Sequence, residues 1–278
     1  MYFSINKDEK YWYEIHGEGV PLVLLHGFTG SGRTWESLIQ SFLEKGDNLQ
    51  LIVVDLPGHG QTITQTPRTM EACCEDLNKL FTFIGLREFH LLGYSMGGRT
   101  ALAYALRYQE KILTLILESA SPGLASKEER FSRIQRDEEL AQRIEDNGVE
   151  DFVNFWENIP LFSTQKNLPA KIQQRIREER LNQTANGLAM SLRNMGTGKQ
   201  PSFWEELRYF SKPVLLLVGE WDEKFIQINK KMQELFVDCN LLICEKSGHA
   251  IHVENSQAFD ILVHEFIGNY INSYNEED

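Results

Sequence analysis

A serine set between glycines is the feature of this 278-residue chain best suited to chemistry. Gly93-Tyr94-Ser95-Met96-Gly97 follows an apolar run, Phe89 to Leu92, and precedes a helical pattern through Leu106. Glycine on both flanks leaves room for a sharp strand-to-helix turn that exposes the serine hydroxyl above a helix N-terminus. The positive end of that helix favours developing negative charge. A serine acting as nucleophile or base passes its proton to an imidazole, and the imidazole needs a carboxylate to fix its tautomer. Both follow in chain order, each beyond an apolar run: Asp222 after Val214 to Val218, and His249 after Leu241 to Cys244. We expect Asp222 as the acid rather than Glu220 or Glu223. His249 is expected as the base rather than His252, which can face the pocket or start the last helix. His26 and His59 sit in Gly-rich turns, where a structural hydrogen bond is the commoner role. An oxyanion needs two converging N–H groups; the backbone amides of Met96, after the serine, and Phe28, after Val20 to Leu25, are the candidates.

These groups need a scaffold that presents loops along one edge. Val20 to Leu25, Leu51 to Val54, Phe89 to Leu92 and Ile112 to Leu117 are short continuous apolar runs, which predicts buried strands. Between them Met70, Cys73, Leu77, Phe81 and Ile84 recur at three- and four-residue steps, the period of one buried helical face. Strands alternating with helices predict an α/β fold with a mostly parallel sheet flanked by helices. The order Ser, Asp, His, with acid and base on loops after strands, is the arrangement of the α/β-hydrolase fold.

The alternation stops near Ser121 and resumes at Val214, with a last strand at Leu241 to Cys244 and a final helical pattern, Ala258 to Ile271. The stretch between opens with a capping-box pattern, Ser126-Lys127-Glu128-Glu129, has a natural stop at Asn147-Gly148, and can start another helix at Pro169. We therefore expect a core of residues 1–121 and 211–278 with a helical cap, 122–210, inserted in it. The cap carries nine of the 14 arginines at a net charge of −1, leaving −11 for the core.

The overall charge of −12 gives no uniform attraction to nucleic acid or anionic lipid. An anionic ligand has to find a local basic patch. Cys73, Cys74, Cys239 and Cys244 match no zinc spacing and are expected to be reduced and structural. The N-terminus lacks a signal-peptide pattern and no apolar run approaches the roughly 20 residues of a membrane span. A cytoplasmic enzyme, monomer or homodimer, is the expectation, with a small-molecule substrate, no metal or organic cofactor, no nucleic acid and no stable membrane insertion.

The runs LLHGF at 24–28, DLPGHG at 55–60, GYSMGGR at 93–99, GEWD at 219–222 and GHAIHVEN at 248–255 resemble the α/β-hydrolase superfamily over nearly the whole chain. More narrowly, Arg99 after the serine turn, Ser121-Pro122-Gly123-Leu124 before an Arg-rich helix, and GEWDEKF at 219–225 resemble the 2-succinyl-6-hydroxy-2,4-cyclohexadiene-1-carboxylate synthase family of menaquinone biosynthesis. That resemblance implies a lyase that expels pyruvate from an enolpyruvyl cyclohexene polycarboxylate, with Ser95 as base. It implies carboxylate-binding roles for Arg99, Arg133 and Arg180, with Arg177 as the alternative to Arg180, and pocket positions for Tyr94 and Trp156. Trp156 can equally serve as packing within the cap.

Arg99 also has a reading of its own. It lies one helical turn after Ser95 on the same face, and a guanidinium there is costly unless it meets a ligand carboxylate or an acid such as Glu118. A triad alone does not select a substrate. A carboxylic ester or C–C bond hydrolase is the second reading, and a non-catalytic ligand-binding protein the third.

Overall fold

The computed structural model describes residues 1–46 and 48–276. In chain order the strands are β1 (Tyr2–Ser4), β2 (Glu9–His16), β3 (Val20–Leu25), β4 (Leu49–Val54), β5 (Ile63–Thr64), β6 (Phe89–Tyr94), β7 (Ile112–Glu118), β8 (Val214–Gly219) and β9 (Cys239–Cys244). The helices are α1 (Glu36–Lys45), α2 (Met70–Phe83), α3 (Met96–Arg107), α4 (Lys127–Trp156), α5 (Ala170–Leu181), α6 (Ala185–Met195), α7 (Glu223–Gln233), α8 (Ile251–Glu254) and α9 (Ser256–Glu276), with short 3₁₀ turns between. The sheet runs β1-β2-β4-β3-β6-β7-β8-β9, with β5 pairing onto β2. From β4 to β9 it is parallel, and β1 and β2 add antiparallel at one end. The chain thus has the α/β-hydrolase fold, a mostly parallel sheet flanked by helices.

Parallel strands bury both faces, and the core is accordingly split in two. One face packs on α2, α3 and α7 through Leu77, Phe81, Leu102, Tyr104 and Met232. The other packs on α1 and α9 through Trp35, Leu38, Phe42, Phe259, Val263 and Ile267.

Register decides where loops emerge. Leu25 pairs with Gly93, Tyr94 with Glu118, Glu118 with Leu217, and Gly219 with Cys244. The carboxyl ends of five adjacent strands therefore finish at one edge, where ligands bind in open α/β sheets.

Among the described residues, the stretch between β7 and β8 contains helices, turns and irregular segments but no strand. Its first helix, α4, is capped as the pattern predicts: Ser126 Oγ accepts the Glu129 N–H and the Glu129 carboxylate accepts the Ser126 N–H. The break expected at Asn147-Gly148 is present. Gly148 takes φ 83° and ψ 174°, and the helix resumes after this kink as far as Trp156. The Arg143–Asp151 ion pair (2.9 Å) and the Arg143 guanidinium over the Phe155 ring (4.6 Å) bridge the break. Ala141, Ile144, Phe152, Leu188 and Leu192 make a separate apolar cluster where α4 meets α6.

Burial lowers the pKa values of His26, His59 and His90 to about 4, 3 and 4. His90 touches Thr114 Oγ1 (2.8 Å), and its Nε2 has no partner. Between pH 6.5 and about 4 the unfolded residue binds a proton that the folded one refuses. Its contribution is full above pH 6.5 and is lost as pH falls, at about 1.4 kcal/mol per unit. His90→Gln should make urea-unfolding stability fall less steeply between pH 6 and 5 by that amount. An unchanged slope would mean that the folded imidazole already carries the proton.

Candidate active site

Ser95 occupies the turn between β6 and α3 with φ 50° and ψ −104°, a conformation that L residues rarely adopt. The turn is possible because a Cβ on Gly97 would collide with the Leu25 carbonyl, and one on Gly93 with the Gly97 carbonyl. The Ser95 N–H is fixed by the Glu118 carbonyl (2.8 Å), and its own carbonyl accepts the Arg99 N–H (2.9 Å).

His249 Nε2 lies 3.0 Å from Ser95 Oγ, and its Nδ1 lies 2.6 Å from Asp222 Oδ2. A carboxylate only accepts, so Nδ1 carries the proton and Nε2 is free to take the one on Ser95. Asp222 and His249 are buried, which strengthens the pair electrostatically. The other acids lie elsewhere: Glu220 accepts the Lys246 N–H, and exposed Glu223 accepts the side-chain amide of Gln227 (2.7 Å).

His252 is neither a second base at the cavity nor part of α9. It lies in α8, buried, with Nδ1 2.8 Å from Glu118 Oε2 and Nε2 2.7 Å from Thr34 Oγ1. Glu118 is thereby occupied and does not pair with Arg99. His26 holds its own turn: Nε2 accepts the Leu56 N–H (2.9 Å), so Nδ1 donates to the Gly27 carbonyl (2.8 Å).

Ser95 and His249 open into a cavity of about 790 Å³ whose walls include Phe28, Tyr94, Met96, Arg99, Arg133 and Trp156. Among the described turns and caps, neither the Phe28 nor the Met96 N–H donates to a backbone carbonyl.

Arg99 is 9 % exposed. One nitrogen, Nη1, donates to the Met195 carbonyl (2.9 Å) and to Gln200 Oε1 (2.8 Å). Burial and the neighbouring Arg133 lower its pKa to about 10, leaving it charged at neutral pH. The carboxylate whose charge it feels, Asp137, is bonded to Arg133 instead, Nε to Oδ1 2.7 Å. Asp137 Oδ2 is buried without a partner, and burial raises this carboxyl. Two guanidinium groups thus share one acid at the cavity wall.

Arg180 is the predicted residue that the structure does not bring to this cavity. It is buried with its guanidinium over the Phe162 ring (4.7 Å) and Nη2 on Gln165 Oε1 (2.9 Å). It borders a small adjoining space beside Gly27 and Tyr94, and Phe162 stands between it and the main cavity. Arg177 is no substitute, being paired with Glu157 (2.8 Å) and Asn154. Trp156 lines the cavity and also packs on Phe28, Phe152 and Phe162.

Sequence reasoning missed several supporting side chains. Glu254 accepts the N–H groups on both sides of His249, from Gly248 (2.8 Å) and Ala250 (3.2 Å). Asp137 was findable, four residues after Arg133 on one helix. Gln200 carries no local signal, and Glu118, foreseen only as a possible partner of Arg99, binds His252 134 residues away instead.

A family model for the alpha/beta hydrolase fold matches residues 20–256. The chain belongs to the α/β-hydrolase family. Within it, the chain is 43 % identical over 249 residues to a Bacillus subtilis protein assigned as a 2-succinyl-6-hydroxy-2,4-cyclohexadiene-1-carboxylate synthase, covering 88 % of this chain and 89 % of that one. It is 31 % identical over 255 residues to the synthase of that name from Photorhabdus laumondii, covering 91 % and 87 %. The solved structure of MenH from S. aureus superposes with a TM-score of 0.88 at 37 % identity, covering 93 % of this chain and 98 % of that one.

Proposed function

We propose that this chain is a lyase of menaquinone biosynthesis. It eliminates pyruvate from 2-succinyl-5-enolpyruvyl-6-hydroxy-3-cyclohexene-1-carboxylate to give 2-succinyl-6-hydroxy-2,4-cyclohexadiene-1-carboxylate. The observation that carries the reading is Arg99, a buried guanidinium with no carboxylate partner of its own, in the same cavity as the triad. A neutral ester would leave that charge uncompensated, whereas a polycarboxylate completes it. The relatives named synthase point the same way.

Ser95, relieved of its proton by His249 Nε2, removes the ring C–H proton next to the succinyl carbonyl. The electron pair moves onto the carbonyl oxygen, held by the Phe28 and Met96 N–H groups. Collapse of this enolate shifts the ring double bond and breaks the C–O bond to the enolpyruvyl group. The departing enolate takes the proton from His249 and becomes pyruvate, so one C–H and one C–O bond break and one proton is relayed. Asp222 keeps the imidazole in the accepting tautomer throughout. Residues 122–210 act as a cap over the cavity, a reading supported by their separate apolar cluster. Catalysis is placed in the cytoplasm and uses no metal or organic cofactor. Among the described residues no helix is long and apolar enough to cross a membrane.

The test generates the enolpyruvyl substrate in situ and follows pyruvate with lactate dehydrogenase alongside diene absorbance. Equimolar pyruvate and diene are expected. No pyruvate together with rapid hydrolysis of aryl esters would overturn the lyase in favour of an ester hydrolase.

A further inference from the structure

The loop that carries the Phe28 amide is anchored from both sides. On the sheet side, the Gly30 N–H closes onto the Gly27 carbonyl (3.1 Å), and Thr29 between them sits at φ 69°. A non-glycine residue at positive φ persists only where its surroundings over-determine it, so the far end of the loop has to be held as well. That hold comes from the segment between β7 and β8. Glu179, near the end of α5, accepts the N–H and the hydroxyl of Ser31 on one oxygen, Oε1, at 2.8 Å each. Gln183, four residues on, donates Nε2 to the Gly30 carbonyl (3.2 Å) and accepts the Gly60 N–H on Oε1 (3.0 Å).

Ser31 and Gln183 are buried. Neither Glu179 nor Gln183 lines the cavity that holds Ser95. Both ends of the Gln183 amide are engaged, Nε2 also donating to the Glu179 carbonyl (3.2 Å), since a buried amide left without a partner would cost free energy. Bonds to the carbonyl and to the N–H of the Gly30–Ser31 peptide fix where the loop points its preceding amides, and small displacements there are expensive in rate.

We propose that Glu179 and Gln183 are positioning residues that lock the oxyanion loop to α5, so that the Phe28 amide is aimed only while this helix is docked. This rests on the oxyanion role of Phe28 given under the proposed function. It adds a coupling: the helical segment covers the site and also completes it.

The test compares Glu179→Ala, Glu179→Gln and Gln183→Ala with wild type in pyruvate release and in phosphonylation of Ser95 by a fluorophosphonate, whose phosphoryl oxygen uses the same hole. Glu179→Ala should lower kcat about tenfold or more with KM changed by no more than about twofold. Glu179→Gln, whose amide oxygen can still accept from Ser31, should recover most of it, and phosphonylation should slow in parallel. If Glu179→Ala fails to fold, Gln183→Ala carries the same comparison. Unchanged kcat and phosphonylation in folded variants would overturn the proposal, as would a rise in KM alone. Should wild type release no pyruvate while the variants still slow phosphonylation, the positioning role stands and the lyase reading falls.

Discussion

Ser95→Ala should lower kcat for pyruvate release by about 10³-fold or more, His249→Ala by a similar factor, and the double variant no further than either alone. The two side chains are one device. His249 Nε2 is 3.0 Å from Ser95 Oγ, and without the hydroxyl it has no atom that reaches the substrate carbon. Without the imidazole, the serine keeps its proton at neutral pH. In the proposed function substrate binding draws on the arginines instead, so KM should change little and the loss should fall on kcat. Single-turnover rates with matched circular dichroism would check this. A Ser95→Ala rate within about tenfold of wild type would remove Ser95 from the chemistry and leave water on His249 as the base.

The chemistry was readable in sequence wherever a few adjacent residues encode it. Gly93-Tyr94-Ser95-Met96-Gly97 has to be a tight turn, because a Cβ at either outer glycine has nowhere to go. The strand from Val20 to Leu25 was found to the residue because it is buried over most of its length and so reads as continuous apolar character. β2 escaped because it alternates: Tyr11 and Tyr13 face inward between half-buried Lys10, Trp12 and Glu14, and its buried Glu9 is held by Thr66 and Arg68 from another segment. Nothing near Glu9 announces that a carboxylate belongs inside.

What stayed illegible depends on packing between distant segments. Arg180 and Arg133 have the same side chain on neighbouring helices, yet Phe162 separates one of them from the cavity and the α4 face delivers the other. Their composition is identical and only the three-dimensional placement differs. The Glu118–His252 pair spans 134 residues. It resembles the catalytic acid–imidazole pair in chemistry, but Thr34 covers its outer nitrogen in place of a nucleophile at the cavity. Counting histidines could rank His249 above His252, whereas the reason for that ranking is this third partner.

Arg99→Ala should reduce kcat/KM for the polycarboxylate about 10²- to 10⁴-fold without weakening the fold. Among the described residues only Nη1 of Arg99 has hydrogen-bond partners, and both are neutral oxygens. A ligand carboxylate taken by the rest of the fork would gain charge-assisted bonds of roughly 1.5–3 kcal/mol each, and two of them give the stated factor. Stability runs the other way. The guanidinium is a desolvated charge beside Arg133, the causes that bring its pKa down to about 10. Removing it relieves that cost and forfeits some support for Asp137, so the denaturation midpoint should hold or rise. Arg99→Lys should not rescue, because an ammonium cannot hold Met195, Gln200 and a carboxylate in one plane. Phosphonylation of Ser95 by a neutral fluorophosphonate, which needs the triad and the hole but no anion site, should keep its wild-type rate in Arg99→Ala. A matching loss in that reaction would mean that Arg99 supports the serine turn, and unchanged kcat/KM for the polycarboxylate would remove it from substrate binding.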